Sequence, residues 1–418
     1  MWNKISNHSS IKSISVLVSG SIIANLITFL CSPLLTRIYS QEEFGGFTLV
    51  LSIIAIFGVI VNGRYDVVIV TAEDKELIPL IQLSILLSVI ISLLVTLGCW
   101  GYTYYTDDAF LRHALVFIFL LLLITGIINV LNSYNNRGKD YSLMTKVYLY
   151  RSIWQNSMML GFGKLYPSAF SLLASQFLGQ LFCIKKQKGK LSWADLFDFK
   201  TKFSYKISLL KKFKSQILLS APASLLNAVS YSIINLLIAY KFGLAMLGLY
   251  SISVRLLGLP LNIFSSNIAK VHYADSISER EANGHYRKST RRTILISMAL
   301  IVPIMIILYF FAPMLVSIIF GETWEEAGVF ISILTPMFAL RFITGSLGFS
   351  FLISQRQGRE FLFQLLLLFV VLLLFFIDTF NSSITTFLIS ISICFSLIYF
   401  TEIIYLVTLS QQNRSHIK

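Results

Sequence analysis

Charge is what this sequence has least of. Of its 418 residues only 13% are Asp, Glu, Lys or Arg, while 56% are apolar and mean hydropathy is +0.76. An ordinary soluble domain carries about 25% charged residues, so this balance points to a membrane protein rather than a globule in water. Acids are scarcest, at 20 against 34 lysines and arginines, for a net charge of +14. The basic residues fall in short stretches between apolar runs, not on one folded face, which argues against nucleic acid as the partner. The four cysteines (Cys31, Cys99, Cys183, Cys394) are far apart and lie in or beside apolar segments. That spacing excludes a paired metal motif and suits small buried hydrophobes. The five histidines (His8, His113, His272, His285, His416) have no metal-ligand spacing either. There is no G-x-x-x-x-G-K-[ST] loop, which excludes a nucleotide-driven pump within the chain, and no cofactor motif is present.

What the sequence has in abundance is apolar runs. A helix needs roughly 20 apolar residues to cross a bilayer. By that measure the spans fall at 14–35, 44–63, 77–100, 113–131, 147–163, 166–184, 217–240, 246–269, 293–319, 327–353, 361–377 and 383–407. The first run follows Lys4 and Lys12, lacks a small-residue cleavage site and leads straight into further spans, so it reads as a retained helix. The fifth and sixth spans are separated only by Gly161 to Pro167 and could be one long helix. Pro336 and Gly345 suggest a kinked or broken tenth span. With the N-terminus in the cytoplasm, cytoplasmic stretches hold 27 lysines and arginines. The opposite loops hold 4: Arg37, Arg112, Lys164 and Lys241. This asymmetry places both termini in the cytoplasm. Every outward loop is short, the longest near Gly101 to Arg112, which leaves little room for membrane-surface catalysis. The chain is expected not to be an enzyme.

The halves echo one another. Arg37 followed by Gly45-Gly46-Phe47-Thr48 matches Lys241 followed by Gly248-Leu249-Tyr250-Ser251. Arg137-Gly138-Lys139-Asp140-Tyr141 matches Gln357-Gly358-Arg359-Glu360-Phe361 at an offset of 220. Six spans per half make the repeat parallel, an architecture in which the substrate site lies between the halves. The expectation is an all-α polytopic membrane protein of about 12 transmembrane helices. It has an N-terminal six-helix lobe (1–184), a basic cytoplasmic linker (185–216) and a C-terminal six-helix lobe (217–418) around a central cavity.

Arginine inside a span costs about 2.5 to 3.5 kcal/mol at the helix centre on insertion scales, so it marks function by default. Arg255 sits midway along the eighth span and Arg341 midway along the tenth. Arg151 lies just inside the fifth, and Arg64 closes the second beside Asn62 and Asp66. All four are candidates to face a water-filled cavity and bind an anion such as a pyrophosphate. Arg64 and Arg151 are equally able to snorkel to headgroups. Asp66 and Glu402 are the acids nearest the apolar layer and the candidates for ion coupling, with snorkelling as the simpler account. Asn25, Asn129, Asn227, Asn235 and Asn262 could line a cavity or hydrogen-bond between helices. Lys185 to Lys214 carries ten lysines, two aspartates and interleaved aromatics (Trp193, Phe197, Phe199, Phe203, Tyr205). That composition suits a segment on anionic membrane lipids, or a plain positive-inside anchor.

Two segments carry a family resemblance. One is Asn25…Leu34-Leu35-Thr36-Arg37-Ile38-Tyr39-Ser40…Glu43-Phe44-Gly45. The other is Gly63-Arg64-Tyr65-Asp66-Val67-Val68-Ile69-Val70 with the acidic loop Glu73-Asp74-Lys75-Glu76. Together they resemble the polysaccharide biosynthesis flippases, including the O-antigen and capsule repeat-unit flippases of the multidrug/oligosaccharidyl-lipid/polysaccharide exporter superfamily. The resemblance is most specific over residues 14–76. Elsewhere it rests on span number, two lobes and length. It implies alternating access that carries an undecaprenyl-pyrophosphate-linked oligosaccharide across the cytoplasmic (inner) membrane through a cationic cavity, with no cofactor. It also implies a polysaccharide polymerase and a chain-length regulator as partners. Peptidoglycan-precursor flippases have more spans and a longer chain. Multidrug exporters share the lobes, and a cation-coupled multidrug or metabolite exporter is the alternative reading. The in-span arginines suit an anionic cargo better.

Overall fold

The computed structural model describes residues 20, 22–197, 203–377 and 382–412. Lys4, Lys12, Asp198, Phe199 and the stretch from 413 lie outside the described residues, as do the side chains of Phe197, Phe203 and Asn262. Among the described residues there is no strand. The helices are α1 (Ile22–Thr36), α2 (Gln41–Gly58), α3 (Tyr65–Val68), α4 (Asp74–Thr106), α5 (Ala109–Arg137), α6 (Tyr141–Leu165), α7 (Ala169–Gln187), α8 (Trp193–Phe197) and α9 (Phe203–Lys212). Then follow α10 (Ala221–Pro260), α11 (Ser266–Asn283), α12 (Arg287–Phe320), α13 (Glu325–Leu347), α14 (Ser350–Ile353), α15 (Gln357–Phe376) and α16 (Ile384–Gln411).

Among the described residues eight helical runs are long and apolar enough to cross a bilayer. One of them, Gln216–Asn283, holds two crossings, because Gly243 (φ +85°, ψ +173°) interrupts α10 in a conformation open to glycine and strained for other residues. With α1, α6 and α7 the crossings number twelve. Apolar side chains cover their outer faces: Ile306, Phe310, Met314 and Ile318 form one stripe along α12, each more than half exposed. Only hydrocarbon can cover such a stripe cheaply, and the chain is a multi-pass membrane protein.

The described helices divide into two compact units, Met1–Ser232 and Ile233–Lys418. In the first, α4 packs along α5, α6 along α7, and α5 against α7. In the second, α12 packs along α13, α15 along α16, and α13 against α16. The same arrangement of hairpins therefore occurs in each unit, as a parallel repeat requires. Small residues bring the paired helices close. A Cβ on Gly126 of α5 would sit 2.5 Å from Cβ of Ser88 on α4, and one on Gly328 of α13 would sit 2.4 Å from Cα of Pro313 on α12. The turns repeat too, but in a register other than the sequence suggests. Lys139 (φ +54°) and Gln355 (φ +57°) are both left-handed and both precede the N-cap of the next helix, Asp140 and Arg356. They lie 216 residues apart, not 220. Gly138 caps α5 whereas Gly358 lies inside α15, so those two glycines are not equivalent.

Local chemistry sets the boundaries. The motif around Ser40 is a capping box, with the Ser40 side chain accepting from Glu43 N and Glu43 Oε2 accepting from Ser40 N at 2.6 Å. Tyr39 and Phe44 close it as a hydrophobic staple, rings edge-to-face at 6.1 Å. The stretch near Gly101 to Arg112 is not a loop of that length. α4 continues to Thr106, only Asp107 (φ +53°) and Asp108 intervene, and Asp108 caps α5 through Leu111 N at 2.9 Å. The fifth and sixth spans are separate helices: α6 ends at Leu165, and Ser168 caps α7. Helix α13 runs unbroken through Pro336. The break falls after Leu347, and Gly345 instead marks where Ser265 approaches, 2.7 Å from a Cβ placed there. The Ser392 hydroxyl donates to the Ile333 carbonyl at 2.6 Å, in the turn that Pro336 disturbs.

Candidate functional site

Helix α2 ends at Gly58, so Arg64 stands beyond it rather than inside the second span. The chain turns over Asn62 to Tyr65, with Tyr65 N donating to Asn62 O at 3.2 Å and both central residues left-handed: Gly63 at φ +59° and Arg64 at φ +65°. Glycine takes that conformation freely, but arginine does not. Asn62 anchors the turn, its Nδ2 shared among Ser84 O (3.1 Å), Ser88 Oγ (3.2 Å) and Gly126 O (3.1 Å). Asn129 joins this hub through Gly58 O at 3.1 Å, which makes it an interhelical tie. Asp66, in the first turn of α3, is only 8% exposed, and its Oδ1 has no hydrogen-bond partner; neither has Nε of Arg64. Burial holds the Asp66 carboxyl above its ordinary 3.8, against the opposing pull of the Arg64 charge.

This corner is braced from two sides. Arg137 donates to Ile69 O (3.1 Å), to Ala72 O and to Asp74 Oδ1 (2.6 Å), fixing the segment after α3. From the basic linker, Lys212 Nζ meets Glu76 Oε1 at 2.6 Å, and Tyr65 OH donates to Leu210 O at 3.0 Å.

Arg151 lies on α6 against the end of α7. Its Nη2 donates to Gln187 Oε1 at 2.8 Å, and Gln187 Nε2 donates to Asn132 Oδ1 at 2.7 Å. Asn135 Nδ2 in turn donates to Gln187 O at 2.8 Å, while Arg151 Nε is buried without a partner. In the second unit Arg255 is half-buried on the later part of α10. Arg341 is half-buried on α13, its guanidinium carbon 5.5 Å from the Phe338 ring centroid. Glu402 on α16 is half-buried and has Glu360, in the first turn of α15, as an acidic neighbour. The structure thus brings Arg64 to Asp66, Arg151 to Gln187, and Arg341 to Phe338. Of the other polar span residues, Asn25 and Asn227 are exposed and Asn235 is half-buried. The braces Arg137 and Gln187 are contacts that spacing along the sequence does not reveal. Among the described residues no group of three or more His, Cys, Asp or Glu is placed to hold a metal.

The fold has relatives among solved membrane transporters. The lipid II flippase MurJ in an inward closed conformation superposes with a TM-score of 0.71 at 13% identity, covering 95% of this chain and 87% of that one. An inward-facing multidrug resistance MATE family transporter of the MOP superfamily gives 0.60 at 13% identity, covering 96% and 99%. A MOP superfamily transporter from Pyrococcus furiosus, described by the reverse polarity of its binding pocket, gives 0.56 at 14% identity, covering 97% of each chain. Identities this low speak to the fold alone. No curated protein matches the chain by sequence. A family does: residues 34–329 match the family described as polysaccharide biosynthesis protein, and the chain belongs to it.

Proposed function

We propose that this protein is a flippase that moves an undecaprenyl-pyrophosphate-linked oligosaccharide, an O-antigen or capsule repeat unit, across the cytoplasmic membrane by alternating access. The family assignment and the shared fold with a lipid II flippase support a lipid-linked cargo. The observation that carries the reading is Arg341, a guanidinium kept half-buried midway along a membrane span and backed by the face of Phe338. An arginine at that depth is rare and is a functional-site residue by default, facing a cavity or pathway. Guanidinium is the group best shaped to grip the oxygens of a pyrophosphate. In this reading Arg255, Arg151 and Arg64 add to the cationic path. Asp66 and Glu402 are the groups able to exchange an ion. The 27-to-4 charge asymmetry sets both termini in the cytoplasm, with lobes over 1–184 and 217–418. In the linker over 185–216, the exposed Trp193, Tyr205 and Ile207 with Lys211 and Lys212 suit anionic headgroups, and a polymerase and chain-length regulator would receive the product.

The test is Arg341→Ala and Arg255→Ala in a cell that depends on this protein. Both variants should insert normally and abolish surface polysaccharide while lipid-linked sugar accumulates inside. Wild-type polysaccharide in both would sink the proposal. A cation-coupled exporter is the second reading, favoured by the Glu360 and Glu402 neighbours, and it predicts altered drug susceptibility on deletion with no accumulation of lipid-linked sugar.

A further inference from the structure

Helices α12, α13 and α16 of the second unit line a groove of about 490 Å³, within the size range of small-molecule pockets. Tyr309 of α12 stands on one wall, Ile393 and Leu397 of α16 on the other, with Ser332 and Pro336 of α13 between them. These wall residues are about half exposed. On α16 they belong to a row at helical spacing, Ile389, Ile393, Leu397, Phe400 and Ile404, all exposed and all apolar. Tyr309 meets Phe310 of the exposed α12 stripe, rings edge-to-face at 5.1 Å. The groove is thus continuous on both sides with surface that hydrocarbon covers. Arg341 lies roughly two and a half turns beyond Ser332, on the opposite side of α13, so its guanidinium does not point into the groove. No lining residue is charged, which leaves an ion or a headgroup without a counter-charge. The hydroxyls are turned to the protein. Ser332 donates to Gly328 O at 3.2 Å, Ser392 donates to Ile333 O at 2.6 Å, and Ser396 Oγ is buried. Serine at these three positions keeps open a space that leucine would fill.

We propose that this groove holds part of the polyprenyl tail of the lipid cargo. The inference rests on the flippase reading and deepens it. A charged headgroup can pass through the protein, but its tail gains nothing by leaving hydrocarbon, so the tail must travel along a lipid-facing surface. The groove offers shape and apolar contact without polar bonds, which is what such a tail can use. Each polyprenyl unit carries a rigid double bond and a methyl branch. A polyprenyl chain therefore loses less rotational freedom on entering a groove than a saturated acyl chain does, and that favours it over the surrounding phospholipid. Depth adds a stage. With both termini in the cytoplasm, α13 and α16 begin on the outer side, and Ser332 and Ile389 lie about 10 Å and 8 Å along them at 1.5 Å per residue. The groove occupies the outer half of the membrane, where the tail belongs once the headgroup has crossed.

The experiment uses the full-length protein in nanodiscs of phosphatidylethanolamine and phosphatidylglycerol with a small, known fraction of undecaprenyl pyrophosphate. A benzophenone photoprobe is placed at Leu397 in the groove or, as a control, at Leu94 of α4, which is equally exposed at 61%. The probe at 397 should capture undecaprenyl at about tenfold its share of the lipid, and the probe at 94 in proportion to its share. Ser332→Phe, which fills the groove from its floor, should remove the enrichment. Ile393→Trp fills it from an exposed wall and decides the matter should Ser332→Phe fold poorly. Capture of bulk phospholipid only at 397, equal enrichment at 94, or enrichment that survives filling in the folded variants overturns the groove. Binding of undecaprenyl pyrophosphate to wild type in the same discs is measured separately. Binding without enrichment at 397 leaves the flippase reading standing, and no binding overturns that reading and the groove with it.

Discussion

Arg64 offers the sharpest separation of backbone from side chain. At φ +65°, ψ +12° it occupies left-handed space that costs an L-residue about 1–2 kcal/mol. Glycine escapes that cost, but its freer unfolded chain returns about 0.4–1 kcal/mol of the gain. Arg64→Gly and Arg64→Ala both delete the guanidinium, and only alanine keeps the strain. The glycine variant should therefore be the more stable of the two by about 1 kcal/mol, roughly a fivefold difference in folded-to-unfolded ratio. Equilibrium unfolding of the two purified variants in one detergent reads this directly. Both should lose surface polysaccharide to the same extent, because the lost charge is common to them. An alanine variant as stable as the glycine variant would refute the strain. Normal export in either would refute a role for the guanidinium.

Asp66→Asn should stabilise the protein at neutral pH. A carboxyl held above its ordinary value binds its proton more tightly in the folded chain, so wild-type stability is greatest at low pH and is lost as pH rises from near 3.8 through the raised folded value. The asparagine variant lacks that loss, and its advantage in a thermal melt should shrink toward pH 4; an advantage independent of pH would contradict the burial argument. Gly328→Ala should cost about 1–3 kcal/mol and deplete folded protein in membranes, because its Cβ would meet backbone atoms of Pro313 and Ala312 at 2.4 to 2.7 Å. Gly358→Ala meets nothing within 4 Å and lies inside a helix, so it should be neutral or gain about 0.5 kcal/mol; a loss there would restore its equivalence to Gly138.

How much of this the sequence discloses depends on how local the cause is. The turn between α1 and α2 is legible because Tyr39, Ser40, Glu43 and Phe44 act on one another within six residues. The twelve crossings are legible despite the polarity of α6 and α7, because positive charge changes sides at each one. Apolar windows misplace the end of α4. Tyr102 to Thr106 are too polar to count as membrane but good enough as helix, and only the Asp107–Asp108 turn stops them. The repeat register slips by four because a glycine beside a basic residue looks alike whether it caps a helix or begins one. At the site, the sequence names Arg64 and Asp66 but not the left-handed backbone of one or the unpartnered oxygen of the other. The partner of Arg151 stands 36 residues away, beyond the reach of spacing.

That partner is an amide, and its neutrality carries a consequence. A buried arginine kept for structure is normally matched by a carboxylate. Gln187 satisfies one donor of Arg151 without cancelling its charge, and α6 and α7 supply no acid that could. The shortage of acids thus has a local meaning: the seam is hydrogen-bonded but still positive. Gln187→Glu tests this with almost no change of shape. The new carboxylate would pair with Arg151 at the same 2.8 Å, and Asn132 could rotate its amide to donate rather than accept. If the positive charge serves a phosphate-bearing cargo, the variant should fold at least as well as wild type and export less surface polysaccharide. Replacing both residues, Arg151→Gln with Gln187→Glu, should not recover export, since it restores neither the charge nor its position. Full export by Gln187→Glu would mean that Arg151 only braces α6 against α7, and the anion would then have to be held by Arg64 and the arginines of the second unit.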